Sequence, residues 1–284
     1  MTSQLERDEV RSRQRVGSAP TRSRISTRRL VPARLGPVGL LIGPLALVGL
    51  WELAATAGWL APRQLAAPSV ALRTGYQMLL DGELLPHLAA SAQRAYLALT
   101  FGVLGGTVLA LLSGLSRVGE AAIDGLVQVK RAIPTLALIP LAILWLGIGE
   151  TMKIVVIASS VFVPVYINTH AGLRGIDIRY VELARTTGLS RAEFIRRVAL
   201  PGALPGFFTG LRLAVTMCWT ALVVLEQINA TEGIGYIMTR ARDYGQTDII
   251  VVGLVIYAVL GLLSDGLVRF AERKSLSWRR TVGS

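Results

Sequence analysis

Residues 177–201, DIRYVELARTTGLSRAEFIRRVALP, form a basic insert between two long apolar runs. Asp177 is placed to accept backbone N–H groups at the start of a first short helix. Gly188 is placed to close that helix in the left-handed conformation that glycine adopts without strain. Ser190 and Glu193, three residues apart, have capping-box spacing for a second helix, which Pro201 is expected to stop or to re-aim into the next apolar run. Arg191, Arg196 and Arg197 are expected to face solvent. The insert reads as helix, turn, helix, with Gly188 as the hinge.

The runs on either side set the solvent. A membrane-spanning helix needs about 20 mostly apolar residues, and six stretches qualify: 38–57, 93–115, 120–148, 151–172, 205–228 and 249–270. Hydrophobic residues make up 52% of the 284 and charged residues 17%, with a mean hydropathy of +0.53. Such a chain is too apolar for a soluble globule. The expected fold is an all-α membrane protein with six transmembrane helices in a domain over 36–272, interrupted by a cytoplasmic loop over 173–204. In the third stretch only Ile133 to Gly147 is uniformly apolar. Lys130 and Arg131 suggest that its first half lies near the cytoplasmic interface, and Pro134 and Pro140 are expected to kink it.

Residues 1–35 carry nine arginines against Glu6, Asp8 and Glu9 and have no apolar periodicity, so a disordered basic cytoplasmic tail is expected there. Residues 273–284 are expected to form a cytoplasmic C-terminal tail. Thr27-Arg28-Arg29-Leu30 faintly resembles a twin-arginine export signal, but the apolar stretch after it is as long as a full span and further spans follow. With six spans, 24 of the 30 Lys and Arg fall on the side of the termini and the insert, and 6 on the other. Basic loops stay cytoplasmic, so both termini are expected inside. The net charge of +12 is then a topology signal with no nucleic-acid explanation required.

Several chemistries lack their residues. A Walker A loop needs Gly-x-x-x-x-Gly-Lys-Ser/Thr, yet Lys130, Lys153 and Lys274 are the only lysines and none follows a glycine. His87, His170 and the single Cys218 give no zinc cluster, no Gly-x-Ser-x-Gly elbow occurs, and one cysteine excludes a disulfide within the chain. No catalytic residue, metal site or cofactor is expected in this chain. Glycines 102 and 106, and 202, 206 and 210, place small residues on one helix face for close packing. Glu52, Glu226 and Asp265 fall inside expected spans, where ionisable groups default to functional hypotheses. A structural role near an interface or between subunits is favoured for all three. The basic helix-turn-helix superficially resembles a DNA reader, but the chain offers no soluble recognition domain.

The insert resembles the EAA signature of bacterial ABC importer permeases: Glu-Ala-Ala, three residues, Gly, nine residues, Ile-x-Leu-Pro. Here it reads Glu182-Leu183-Ala184, Gly188 and Val198-Ala199-Leu200-Pro201, with apolar swaps at Leu183 and Val198. The likeness continues in Gly114-Leu-Ser-Arg117 with Gly119-Glu120, and in Leu136-Ala-Leu-Ile-Pro-Leu141 with Leu144-Trp-Leu-Gly147. It extends through Tyr166-Ile-Asn-Thr169, Leu200-Pro-Gly-Ala-Leu-Pro205, Gly233-Ile-Gly-Tyr236 and Gln246-Thr-Asp248. These are similar to the aliphatic-sulfonate, taurine and nitrate branch, most of all to alkanesulfonate permeases, from about Leu40 to about Glu272.

The resemblance implies a type I importer permease (MetI-like) fold in a bacterial plasma membrane. Glu182, Ala184, Gly188, Leu200 and Pro201 would couple it to a cytoplasmic ATPase subunit, which binds the ATP and Mg. It also implies two copies of that ATPase, a second copy of this chain, and an extracytoplasmic solute-binding protein that meets Asn229 to Asp248 and residues 58–92. For an anionic sulfonate, hydroxyl, amide and indole donors would suit transient passage better than fixed charges. Ser159, Ser160, Asn168, Thr216 and Trp219 are the candidate pathway residues. Alternatives are the same machine carrying taurine, nitrate or a thiamine precursor, an ion-coupled secondary transporter that needs no ATPase, and a membrane anchor that moves no solute.

Overall fold

The computed structural model describes residues 37–278, so the tail expected over residues 1–35 and the last six residues of the C-terminal tail lie outside the described residues. The described elements are all helices: α1 (Pro37–Thr56), α2 (Pro68–Leu80), α3 (Leu84–Gly114), α4 (Arg117–Ala132), α5 (Ile139–Leu146), α6 (Glu150–Arg174), α7 (Ile178–Thr186), α8 (Arg191–Phe194), α9 (Leu200–Asn229), α10 (Ile234–Asp243) and α11 (Thr247–Ser275). The chain divides into two units between Leu47 and Val48. In the first, Ile42, Leu45 and Leu47 on α1 are exposed. The bundle described below is the second.

Among the described residues, four helices are long and apolar enough to cross a membrane: α3, α6, α11, and the rod from Arg191 to Ile228 that joins α8 to α9. A fifth crossing counts if α4 and the segment Thr135–Leu146, bent by 89° at Ile133 and Pro134, are one broken span. The apolar part of α1, Ile42–Thr56, is shorter than these. Phe101, Leu104 and Val108 on α3 and Leu254, Leu262, Leu263 and Phe270 on α11 are all more than half exposed. Water would not tolerate such apolar faces, and lipid is the solvent that suits them.

Two proline expectations change. The third stretch is broken at Pro134 and turns through a short 3-10 segment, Thr135–Leu138. Pro140 does not kink it, because it occupies the first turn of α5, where its missing N–H has no partner to lose. Pro201 neither stops nor re-aims the chain. A π turn over Ile195–Ala199 precedes it, and its wider hydrogen-bonding ring gives the proline ring room at the Arg197 carbonyl, so the helix runs on.

α6 is the centre of the bundle, with α3 packed on one side and α9 on the other. Small residues set both contacts. A Cβ on Gly102 would sit 2.7 Å from the Ala158 carbonyl oxygen, one on Gly106 2.8 Å from that of Phe162, and one on Gly210 2.7 Å from that of Pro164. Gly206 lies closer still, against the Asn168 carbonyl and the backbone of Gly172. Gly206→Leu is therefore expected to force α9 off α6 and to lower stability by about 1–3 kcal/mol. Thermal unfolding in detergent checks it, with Gly266→Leu as the control, since nothing lies within 4 Å of the Gly266 position.

At one end of the bundle a buried ionic network ties the helices together. The Glu226 carboxylate, with a side chain 0% exposed, accepts hydrogen bonds from Arg94 Nη1 at 2.7 Å, Ser91 Oγ at 2.8 Å, the Gly235 N–H at 2.9 Å and the Tyr257 hydroxyl at 2.8 Å. Arg94 also pairs with Glu150, which holds Lys153 at 2.9 Å. The Gly233 N–H donates to His87 Nδ1 at 3.1 Å. Helices α3, α6, α9, α10 and α11 are thereby fastened at one point. Glu226 is buried within this chain, three residues before the end of α9. Asp265 accepts from Arg212 and Arg269 within the bundle, and Glu52 caps α2 through the Ser69 N–H and hydroxyl at 2.9 and 2.7 Å.

Candidate functional site

The insert folds as its local chemistry directs. Asp177 caps α7, its carboxylate accepting from the Arg179 N–H at 2.9 Å. At the other end the Leu189 N–H reaches the Ala184 carbonyl at 3.0 Å and the Gly188 N–H reaches Arg185 at 3.2 Å, with Gly188 at φ +67°. These are the paired bonds of a Schellman closure, and the left-handed residue it needs is the glycine. Ser190 and Glu193 form the full capping box of α8. Ser190→Ala is expected to cost about 1 kcal/mol of local stability, read as faster amide hydrogen exchange over Arg191–Phe194.

Three of the five expected coupling residues share this hairpin. Glu182 and Gly188 are exposed on it, while Ala184 is buried beneath. No ion pair within the described residues engages Glu182, which leaves its carboxylate available outward. Leu200 and Pro201 stand apart, at the start of α9. Arg191, Arg196 and Arg197 are exposed as expected. Arg191 also donates to the Leu115 carbonyl at 3.1 Å, and Arg174 pairs with Glu120. The hairpin is thus braced on the α3–α4 turn and continuous with α9, at the opposite end of the bundle from Glu226.

Between the two ends lies an open cavity of about 630 Å³ bordered by the α4 terminus, the Pro134 break, α6 and α9. Ser160, Asn168 and Thr216 line it, three of the five expected pathway residues. Ser159 does not. Trp219 turns inward, buried among Tyr96 and Tyr257 and donating its indole N–H to Ser264 Oγ at 3.2 Å. Lys130 and Arg131 also line the cavity, as do the hydroxyls of Thr135 and Thr220. Both cations stand in the last turn of α4, just before the Pro134 break, Lys130 half-buried and Arg131 exposed. The turn at Pro134 sets the following segment beside them, and a charge pair followed by Ala132-Ile133-Pro134 inside an apolar stretch is the signal that could have found them.

Residues 102–276 match the model of the family described as the binding-protein-dependent transport system inner membrane component. A protein of Escherichia coli (strain K12) whose name describes an aliphatic sulfonates transport permease, SsuC, is 44% identical over 235 residues, covering 83% of this chain and 89% of that protein. The taurine transport system permease protein TauC of the same strain is 36% identical over 251 residues, covering 86% and 91%. Among solved structures, an amino acid ABC transporter aligns with a TM-score of 0.57 at 21% identity, covering 69% of this chain and 98% of that one.

Proposed function

The chain belongs to the binding-protein-dependent transport system inner membrane component family, and on that premise we propose that this ABC importer permease carries small aliphatic sulfonates into the cell. What supports the cargo is that both curated relatives described above are named for sulfonate-bearing solutes, one for aliphatic sulfonates and one for taurine, itself an aminosulfonate. ATP is hydrolysed by a partner subunit, and an extracytoplasmic binding protein delivers the solute.

In this reading there are six spans: α1, α3, the broken α4–α5 pair, α6, the α8–α9 rod and α11. Both termini and the α7–α8 hairpin are cytoplasmic, a reading that the charge asymmetry supports. Two copies of the chain, each with one hairpin, engage two ATPases. Glu182 and Gly188 present the docking surface, Ala184 packs beneath it, and Leu200 and Pro201 carry the motion into α9. Because α8 and α9 are one rod, movement of the hairpin shifts the helix that bears Thr216 on the wall of the cavity. Ser160, Asn168 and Thr216 then line a pathway opened and closed by a shift between two states.

The experiment is growth of a strain lacking this chain, and of its complemented parent, with sulfate or short alkanesulfonates as sole sulfur source. Loss of growth on sulfonates alone, restored by complementation, supports the cargo. Unimpaired growth on every sulfonate removes it and directs attention to nitrate as a nitrogen source.

A further inference from the structure

The hydroxyls that α6 and α9 turn to the cavity are already spent as donors. Ser160 donates its hydroxyl to the Val156 carbonyl at 3.3 Å, Thr216 to Arg212 at 3.3 Å and Thr220 to Thr216 at 2.9 Å, while the Asn168 amide donates to Pro164 at 2.8 Å. Each bond returns to the helix's own backbone four residues earlier, so what these hydroxyls offer the cavity is lone pairs. An anion needs donors.

Lys130 and Arg131 supply them. Lys130 Nζ makes one bond, to Thr135 Oγ1 at 2.7 Å, leaving two of its three N–H groups free. Neither cation forms an ion pair within the described residues, whereas Arg94, Lys153 and Arg212, elsewhere in the bundle, are held by Glu150, Glu226 or Asp265. No carboxylate lines the cavity. Placement in the last turn of α4 favours positive charge through the helix dipole, which accounts for a cation at that terminus but not for a cavity wall without a counter-ion. A charge on the wall of a membrane pathway is costly unless it meets an anion or water in transit.

We propose that Lys130 and Arg131 are the specificity-determining pair of the pathway, binding the anionic head group of the cargo while its alkyl chain lies against Val163, Leu213 and Met217. This rests on the sulfonate reading above. The guanidinium offers a planar fork to two oxygens of the head group and the ammonium a point charge to the third.

The test is ATP-driven uptake of radiolabelled ethanesulfonate by vesicles holding the complete transporter, comparing wild type with two double variants. Lys130→Gln with Arg131→Gln removes both charges and is expected to lower uptake at least about tenfold, the scale of one lost charge-assisted hydrogen bond. Lys130→Arg with Arg131→Lys retains both charges while exchanging the fork and the point charge, and is expected to retain more uptake than the glutamine variant. Thermal unfolding of both in detergent should match wild type. Undiminished uptake by the glutamine variant overturns the proposal, and so does equal loss in the charge-preserving variant, which would assign the positions to packing. If wild type itself moves no ethanesulfonate, the cargo reading is what fails.

Discussion

Glu226→Ala is expected to destabilise the protein by about 3–5 kcal/mol, the scale on which removing one partner of a buried ion pair leaves the other uncompensated. Four donors converge on this carboxylate, from Arg94, Ser91, Gly235 and Tyr257. After truncation the Arg94 side chain, only 8% exposed, keeps Glu150 alone as a carboxylate partner. The backbone is committed as well: Gly233, at φ +122°, lies so close that a Cβ there would come within 2.7 Å of Arg94 Nη1. Glu226→Gln preserves the shape but turns an amide N–H toward groups that all donate, so a smaller loss is expected. Thermal unfolding of the purified protein in detergent measures both, and a Glu226→Ala variant within about 1 kcal/mol of wild type would remove the network from the stability account.

Gly188→Arg is expected to abolish import with only a minor effect on folding. Nothing lies within 4 Å of the position a Cβ would take there, so no internal clash arises. The cost to this chain is the left-handed conformation alone, about 1–2 kcal/mol. The new side chain would project from an exposed turn beside Glu182, on the surface assigned to the ATPase. Co-purification of the ATPase with the tagged permease should fall together with uptake. Gly188→Asn, which tolerates the same conformation, is expected to keep the hairpin and more of the activity. Full import by well-expressed Gly188→Arg would detach the hairpin from coupling.

The hairpin was legible because its determinants are local: Asp177, Gly188, Ser190 and Glu193 each satisfy backbone groups within a few residues of themselves. The close glycine contacts of α3, α6 and α9 were legible for a similar reason, being fixed by helix periodicity. The π turn before Pro201 was not, since a proline after a short helix reads as a stop, and only the uninterrupted course of α9 shows that the strain is absorbed. The cavity was half legible. Ser160, Asn168 and Thr216 were identified by residue type, but which face of a nearly all-apolar helix turns inward depends on its neighbours. That ambiguity hid the burial of Trp219 and the absence of Ser159. That Lys130 and Arg131 line the cavity was not legible, because the 89° break beside them is a tertiary feature.

In the proposed cycle ATP drives this permease through a partner subunit. The most direct measurement is accumulation of a short alkanesulfonate in vesicles containing this chain, its ATPase and its binding protein, with ATP and Mg inside the ATPase-facing compartment or with an imposed ion gradient instead. Accumulation with ATP, none with a non-hydrolysable analogue and none with the gradient alone is the predicted result. Gradient-driven accumulation by the chain without its ATPase would contradict the account and leave an ion-coupled transporter in its place.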